Sequence, residues 1–358
     1  MIYKKEILEM LFKAYFDARK HKRAKHSQLE FEWNLEDNIF NLYQEIVNKT
    51  YKPGSSICFV VEKPVKREIF AANFRDRVVH HFIFNILNPL AEKVLLHDVY
   101  SCRKGKGTLF GIQRASAKMQ SCTSNFKEKA FVLKLDISGY FMNMNKDLLF
   151  SKVVSIINKN ELFLPIQSTL LTYLVTQNIY HDPTTDCKFQ SHKKKWNNLP
   201  KNKSLFYSKK KCGLPIGNLT SQLYGNLYLN DFDHYIKREL KVKHYGRYVD
   251  DFFAIHTSKT ILLENIEKIK LRLQQVEKLE LHPKKIYLQE IRKGFPFLGV
   301  YILPYRRYIG NRIKAGLYST LNSLLATSQE APIIKHLFKR IHSYKSMLIH
   351  HSCRKLAK

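Results

Sequence analysis

An α+β fold is what this sequence predicts, on three observations. Stretches with strand alternation are interspersed with stretches of helical periodicity, a local hairpin pattern lies around Asp250, and no segment repeats. With 358 residues, 44% of them hydrophobic and 13% aromatic, the chain is long enough for a substantial core divided among two or three packed subdomains.

The elements follow in order. Ile7, Leu8, Leu11, Phe12 and Tyr15 share one stripe of residues 2–20, which predicts an amphipathic helix. Leu35, Ile39, Leu42 and Ile46 do the same for about 34–49, and Tyr51-Lys52-Pro53-Gly54 closes this leader with turn chemistry. Ile57 to Val61 reads as a strand, Lys63 to Arg67 as a basic loop, and Arg75 to Leu87 as a helix. Phe131 to Asp136 alternates as a strand, with Phe131, Leu133 and Leu135 on one face and Val132, Lys134 and Asp136 on the other. Residues 180–212, rich in Lys, Asn and Pro, read as a long connection. A helix is expected at 219–240, then the hairpin, a helix at 260–279, and strands near 286–291 and 297–302. The stretch 310–358 is basic and mostly helical in pattern. The expected division is a helical extension at 1–50, a main body at 51–302 with its basic insertion, and a helical basic segment at 303–358.

Charge is the first sign of function. Sixty-one Lys and Arg stand against 30 Asp and Glu, a net +31, which a compact fold tolerates best beside a polyanion such as nucleic acid. The six cysteines form no Cys-x-x-Cys pair and no zinc-finger spacing, and six reduced thiols fit a cytoplasmic protein. The first residues lack the apolar stretch of a signal peptide, and no run approaches the roughly 18 apolar residues of a membrane span, so no membrane partner is expected.

The chemistry is carried by carboxylates. Asp136 ends its strand on the face away from Leu133 and Leu135, where Gly139 lets the chain turn. Tyr248-Val249-Asp250-Asp251 is bracketed by Arg247 and by Phe252-Phe253-Ala254-Ile255. An Asp-Asp pair by itself reads as an exposed turn. Set between apolar strands it costs several kcal/mol to bury unless a cation compensates it. Phosphoryl transfer uses such a set: two Mg²⁺ ions roughly 3.5–4 Å apart stabilise the attacking and leaving oxygens of an in-line displacement. Each ion takes one or two protein carboxylates and leaves its other positions to water and phosphate.

Tyr248-Val249-Asp250-Asp251 resembles the Tyr-x-Asp-Asp box of reverse transcriptases. Leu135-Asp136-Ile137-Ser138-Gly139-Tyr140-Phe141 resembles their first catalytic motif, and the likeness runs over about 51–302 with the motifs in order. The resemblance implies a right-hand polymerase fold, with fingers, a palm built on an antiparallel sheet, and a helical thumb at 303–358 whose Lys, Arg and His face the duplex. It implies RNA-directed DNA polymerase activity with Asp136, Asp250 and Asp251 as catalytic metal ligands and the Ile137 backbone carbonyl beside them. Two Mg²⁺ ions are the implied cofactor, with Mn²⁺ as the alternative. For the incoming dNTP it nominates Lys63 and Arg67 as a triphosphate clamp, Phe141 as the steric gate against a ribose 2′-hydroxyl, Ile216 and Gly217 beside the nascent pair, and Lys285 as proton donor to pyrophosphate. Lys284 would take that role after a one-residue shift in register. For nucleic acid it nominates Arg75, Arg103, Lys104, Lys106, Asn218, Gln222 and Tyr248. The implied partners are template RNA, the RNA/DNA hybrid and dNTPs.

The loop Gly213-Leu214-Pro215-Ile216-Gly217-Asn218-Leu219-Thr220-Ser221-Gln222 narrows the resemblance. Group II intron proteins carry Gln where Ile216 stands and Pro where Gln222 stands. The loop looks instead like that of diversity-generating retroelements, bacterial or phage elements whose polymerase errs at template adenines and works with a small basic accessory protein. His181-Asp182-Pro183 and Lys203-Ser204-Leu205-Phe206 resemble that group too. Nothing after residue 302 looks like an endonuclease, so integration is expected to need partners. Two readings stand beside this one: an intron-, retron- or defence-type reverse transcriptase, and a non-catalytic basic RNA-binding scaffold.

Overall fold

A computed structural model describes residues 2–20, 25–63, 65–325 and 331–349. Residues 1 and 21–24 of the expected extension, Pro64 of the basic loop, and residues 326–330 and 350–358 of the expected thumb lie outside the described residues. The chain divides into two compact units, of residues 1–97, 137–235 and 270–281 and of residues 98–136, 236–269 and 282–358. Among the described residues no helix is long and apolar enough to cross a membrane.

In the first unit, α1 (Ile2–Arg19), α2 (His26–Trp33) and α3 (Leu35–Val47) form the leader, and α1 packs on α4 (Phe74–Val94). The helix α4 starts where the Asn73 side chain accepts the Asp76 N–H at 2.8 Å, an N-cap that supplies one of the orphaned first-turn donors with a partner. Its apolar face buries Val78, Phe82, Ile86 and Leu90, and it runs on through Pro89, beyond the helix expected from periodicity. Strands β1 (Ser56–Val61) and β2 (Arg67–Ala71) form an antiparallel hairpin, with Ile57 opposite Ala71 and Val61 opposite Arg67.

Four further helices of this unit were not expected from the sequence: α2, the short α6 (Tyr140–Asn143), α7 (Lys146–Lys159) and α8 (Ser168–Tyr180). The helix expected at 219–240 is two, α9 (Leu219–Tyr228) and α10 (Asn230–Arg238), broken at Leu229. The connection at 180–212 contains a short strand, β4 (Cys187–Phe189), paired parallel with β1, and three 3₁₀ turns.

The second unit is built on a four-stranded antiparallel sheet in the order β5-β6-β3-β7: β5 (His244–Tyr248), β6 (Asp251–His256), β3 (Phe131–Asp136) and β7 (Tyr287–Glu290). Helix α5 (Thr108–Cys122) packs on β5 and β6 and buries Ile112, Ala115 and Met119 against Val132, Phe253 and Ile255. Strand β3 is buried on both sides, since Val132, Leu133 and Leu135 are all nearly inaccessible. The simple inside/outside alternation therefore fails there, because a central strand with both faces covered is apolar throughout. Helix α11 (Lys259–Gln275) follows β6, strands β8 (Phe295–Phe297), β9 (Val300–Leu303) and β10 (Arg306–Ile309) make a second antiparallel sheet, and α12 (Asn311–Leu325) and α13 (Ala331–Ile349) pack together after it. The segment expected to be helical from 303 thus begins with a strand.

Candidate active site

Strand register brings the acids together. Phe131 pairs with His256 and the ladder runs to Asp136 opposite Asp251, so two carboxylates sit across one strand pair at one end of the sheet. Asp250 lies one residue earlier, in the two-residue turn between Tyr248 and Asp251 of the β5–β6 hairpin. That turn is strained: Val249 has φ +59°, a conformation that costs a β-branched residue on the order of 1–3 kcal/mol. Neighbours hold it in place. The fully buried Arg247 donates from Nη1 to the Val249 carbonyl at 2.9 Å, and Ser101 Oγ accepts the Val249 N–H at 3.2 Å. The segment carrying Ser101 runs along β5: Arg247 N–H donates to Asp98 O, and Tyr100 N–H donates to Arg247 O, both at 2.9 Å. Asp98 is itself fixed, accepting from Arg114 at 2.9 Å and paired with Lys118 at 2.7 Å. Burial alone would raise its pKa, but these two cations bring it down to about 2.

Burial, then the charge of Asp136 and then that of Asp251, push Asp250 up to about 6, with Lys285 pulling the other way. Asp251 is also raised to about 6 by burial, against the pull of Lys134. Lys134 Nζ lies 2.9 Å from Asp251, and Lys285 Nζ lies 2.7 Å from Asp136. Among the described residues no three His, Cys, Asp or Glu side chains converge as a finished metal cage. The acids nevertheless fit a hard cation. The donors are all carboxylate oxygens, they repel one another, and two lysines hold them where positive charge is needed. Ile137, next along the chain, is bridged to Leu281 through Ser138 N–H on Glu280 O and is almost wholly buried.

The other nominated residues of the second unit differ among themselves. Tyr248 is half-buried against the core beneath the sheet. Lys104 is exposed and Lys106 half-buried in the turn after Ser101, whereas Arg103 donates to the Val99 carbonyl at 3.0 Å. Lys284 is exposed beside Lys285, and only Lys285 is paired with Asp136.

In the first unit, Lys63 and Arg67 are exposed at the tip of the β1–β2 hairpin. Phe141, on the short helix α6 (Tyr140–Asn143), and Ile216 pack on one apolar cluster with Cys58, Phe70, Met142 and Leu205. Gly225 makes room for the ring, since a Cβ there would lie 3.2 Å from Phe141 Cε1. The loop carrying Ile216 is tied to β2. Phe70 N–H donates to Ile216 O at 2.9 Å, and Ala72 N–H donates to the buried Asn218 Oδ1 at 3.3 Å. Gly217 has φ +126°, and a Cβ there would meet the Phe70 carbonyl at 2.9 Å, so only glycine fits. Gln222 is exposed on α9. Arg75 is engaged within the protein, paired with Glu45 and Asp76 and lying 4.9 Å from the centre of the Tyr51 ring.

The reverse transcriptase (RNA-dependent DNA polymerase) family model matches residues 61–302, with Asp136 and the Tyr248–Asp251 box inside that span. The chain belongs to the reverse transcriptase family. No curated protein matches it. Among solved structures, this reverse transcriptase is similar to apo telomerase from Candida tropicalis truncated from its C-terminal domain. The TM-score is 0.51 at 13% identity, over 71% of this chain and 55% of that one. It is also similar to telomerase from Candida tropicalis in complex with a TWJ fragment of telomeric RNA, at TM-score 0.51 and 12% identity over 87% and 57%. The reverse transcriptase thus spans a little over half the length of these telomerases, and at such identities the likeness concerns the fold.

Sequence reasoning did not assign Lys134, Arg247 or Ser101 a part in this site. Lys134 was on the right face, two residues before Asp136, and Arg247 bracketed the acidic pair. Ser101 carried no signal, because it reaches Val249 only through a contact between residues 148 apart.

Proposed function

We propose that this chain copies a template RNA into cDNA by two-metal phosphoryl transfer, in mutagenic retrohoming of a diversity-generating retroelement. The observation that carries the polymerase reading is the register pairing of Asp136 with Asp251 beside the strained Asp250 turn. Asp136, Asp250 and Asp251, with the Ile137 carbonyl, would hold the ions; bound Mg²⁺ supplies positive charge to the attacking and leaving oxygens. Lys134 orients Asp251, and Lys285 would give a proton to the departing pyrophosphate. Lys63 and Arg67 neutralise the incoming triphosphate, and Phe141 excludes a ribose 2′-hydroxyl.

The retroelement reading is supported by the loop at 213–222. Ile216 packs in the apolar cluster beside Phe141 and offers no hydrogen bond to a template or primer strand. One such bond contributes about 0.5–1.5 kcal/mol, so its loss costs up to about tenfold in discrimination. The partners are template RNA, dNTPs and a small basic accessory protein, in a bacterial or phage-infected cytoplasm. The test is sequencing of cDNA made on one defined RNA. Excess errors opposite adenine, lowered by Ile216→Gln more than errors opposite other bases, are expected. Equal adenine errors in both active enzymes would contradict the retroelement assignment of this side chain.

A further inference from the structure

The insertion between α8 and α9 has a fixed backbone and a basic, aromatic surface. Residues 181–211 contain nine lysines and two aspartates, a net +7 (9 − 2), and every one of those lysines is exposed. Taken one at a time such lysines read as a solvated loop. Their setting argues otherwise. Strand β4 extends the β1–β2 sheet, and Gln190 N–H donates to Cys58 O at 2.9 Å. The buried Glu68 carboxylate accepts from Trp196 Nε1 at 2.7 Å, Ser204 Oγ at 2.8 Å and Leu205 N–H at 2.7 Å. Lys66 Nζ donates to the Asn197 carbonyl at 2.5 Å. A buried acid spent on three donors from one insertion is costly unless that insertion must keep its shape.

What is held in shape is a set of rings among cations. Phe189 is 51% exposed and stacks on Phe206 at 5.9 Å with 16° between the planes, and the Trp196 ring meets Phe189 edge-on at 5.4 Å. Tyr207 is 63% exposed, with Lys201 Nζ 5.4 Å from its centre. Lysine runs at 193–195, between Phe189 and Trp196, and at 209–211, after Tyr207, are interleaved with the rings in sequence.

We propose that this face of the first unit binds single-stranded RNA, its rings stacking on unpaired bases and its lysines meeting phosphates. Single strands present base faces and a close phosphate track together, which is what exposed aromatics interleaved with lysines recognise. A duplex keeps its base faces in its own stack and would use the lysines alone. An acidic protein segment would leave the rings without work. The choice of RNA over DNA rests on the polymerase reading above; the single-strand chemistry does not.

Trp33 and Trp196 are the two tryptophans, so Trp33→Phe at an exposed position makes Trp196 the sole reporter. The full chain is titrated with a single-stranded RNA of about twelve nucleotides, a length within the range one such surface covers. Quenching of Trp196 emission is expected. The triple change Lys193→Ser, Lys194→Ser, Lys195→Ser should weaken binding and make the slope of log affinity against log salt shallower by about 2, at about 0.7 per lost contact. A blunt RNA duplex should not quench Trp196. Absence of quenching, or a slope unchanged in the triple variant, overturns the proposal. So does equal quenching by an acidic peptide, which would make the partner a protein, and tighter binding of the matching DNA overturns the assignment to RNA. Loss of RNA-templated dNTP incorporation with Trp196 quenching intact would strike the polymerase reading instead.

Discussion

The strand end that carries the carboxylates and the lysine-rich insertion use basic residues in opposite ways. At the strand end each named cation is committed within the protein: Lys134 to Asp251, Lys285 to Asp136, Lys118 and Arg114 to Asp98, and Arg247 to the Val249 carbonyl. In the insertion the lysines stand exposed, with Lys211 paired to Asp147 at 3.1 Å, and the buried ionic group beneath is an acid, Glu68 of β2, which holds the insertion's backbone. The net charge of +31 is therefore not one property. Part of it fixes the geometry of a few carboxylates at short range, and part is presented outward, where it acts through salt-dependent attraction to polyanions.

The sharpest way to break this contrast is to remove one cation of each kind and measure stability by urea unfolding. Arg247→Met leaves the Val249 carbonyl without its buried donor and should cost about 3 kcal/mol, while Lys193→Ser should change stability by less than about 0.5 kcal/mol. Equal losses would mean that the two kinds of basic residue do the same job. Glu68→Ala comes next. It leaves the buried Ser204 and Leu205 donors and the half-buried Trp196 donor without their acceptor, at about 1–3 kcal/mol for each one that water does not reach. Hydrogen exchange should quicken at the amides of residues 196–205 and stay slow in α4 and α7 of the same unit. Uniformly faster exchange would show that Glu68 supports the whole unit and not the insertion.

A smaller effect separates buried from exposed titration. His80 is lowered to about 3, chiefly by burial and then by His81, His181 and Arg77. Its folded pKa lies below the unfolded value of about 6.5, so the unfolded chain binds the extra proton between those limits. Its contribution is intact above about pH 6.5 and is lost progressively as pH falls towards 3. His80→Leu should flatten the fall in melting temperature between pH 6.5 and 4.5. An unchanged pH profile would show that His80 does not carry it.

Much of the candidate site was legible because the chemistry lies in local strings. Asp136, Asp250 and Asp251 each sit in a short motif, and Arg67 ends the basic loop that the sequence marked, although the strand β2 that makes this loop a hairpin tip was not expected. The helices α5, α7 and α8 were less legible. Thr108–Cys122 mixes Gly111, Ser116 and Gln113 into its pattern, and much of its burial comes from strands distant in sequence. Arg75 and Asn218 show the opposite failure. Their residue types suit nucleic acid, yet one lies in a network with Glu45, Asp76 and Tyr51 and the other tethers a loop to β2. A motif fixes residue type and order; whether a side chain faces outward is decided by partners far along the chain.

The most direct measurement is primer extension on an RNA template by purified Asp250→Asn protein, with RNA affinity measured alongside by fluorescence anisotropy. Asn keeps the shape at the turn and removes the charge by which Asp250 is coupled to Asp136 and Asp251 and by which the proposed site would hold a cation. Mg²⁺-dependent dNTP incorporation should fall by at least about a hundredfold while RNA affinity stays within about twofold of the parent, since the lost charge serves chemistry and not the nucleic-acid track. Full-rate extension by the folded variant would contradict the assignment of these carboxylates as the metal-holding centre.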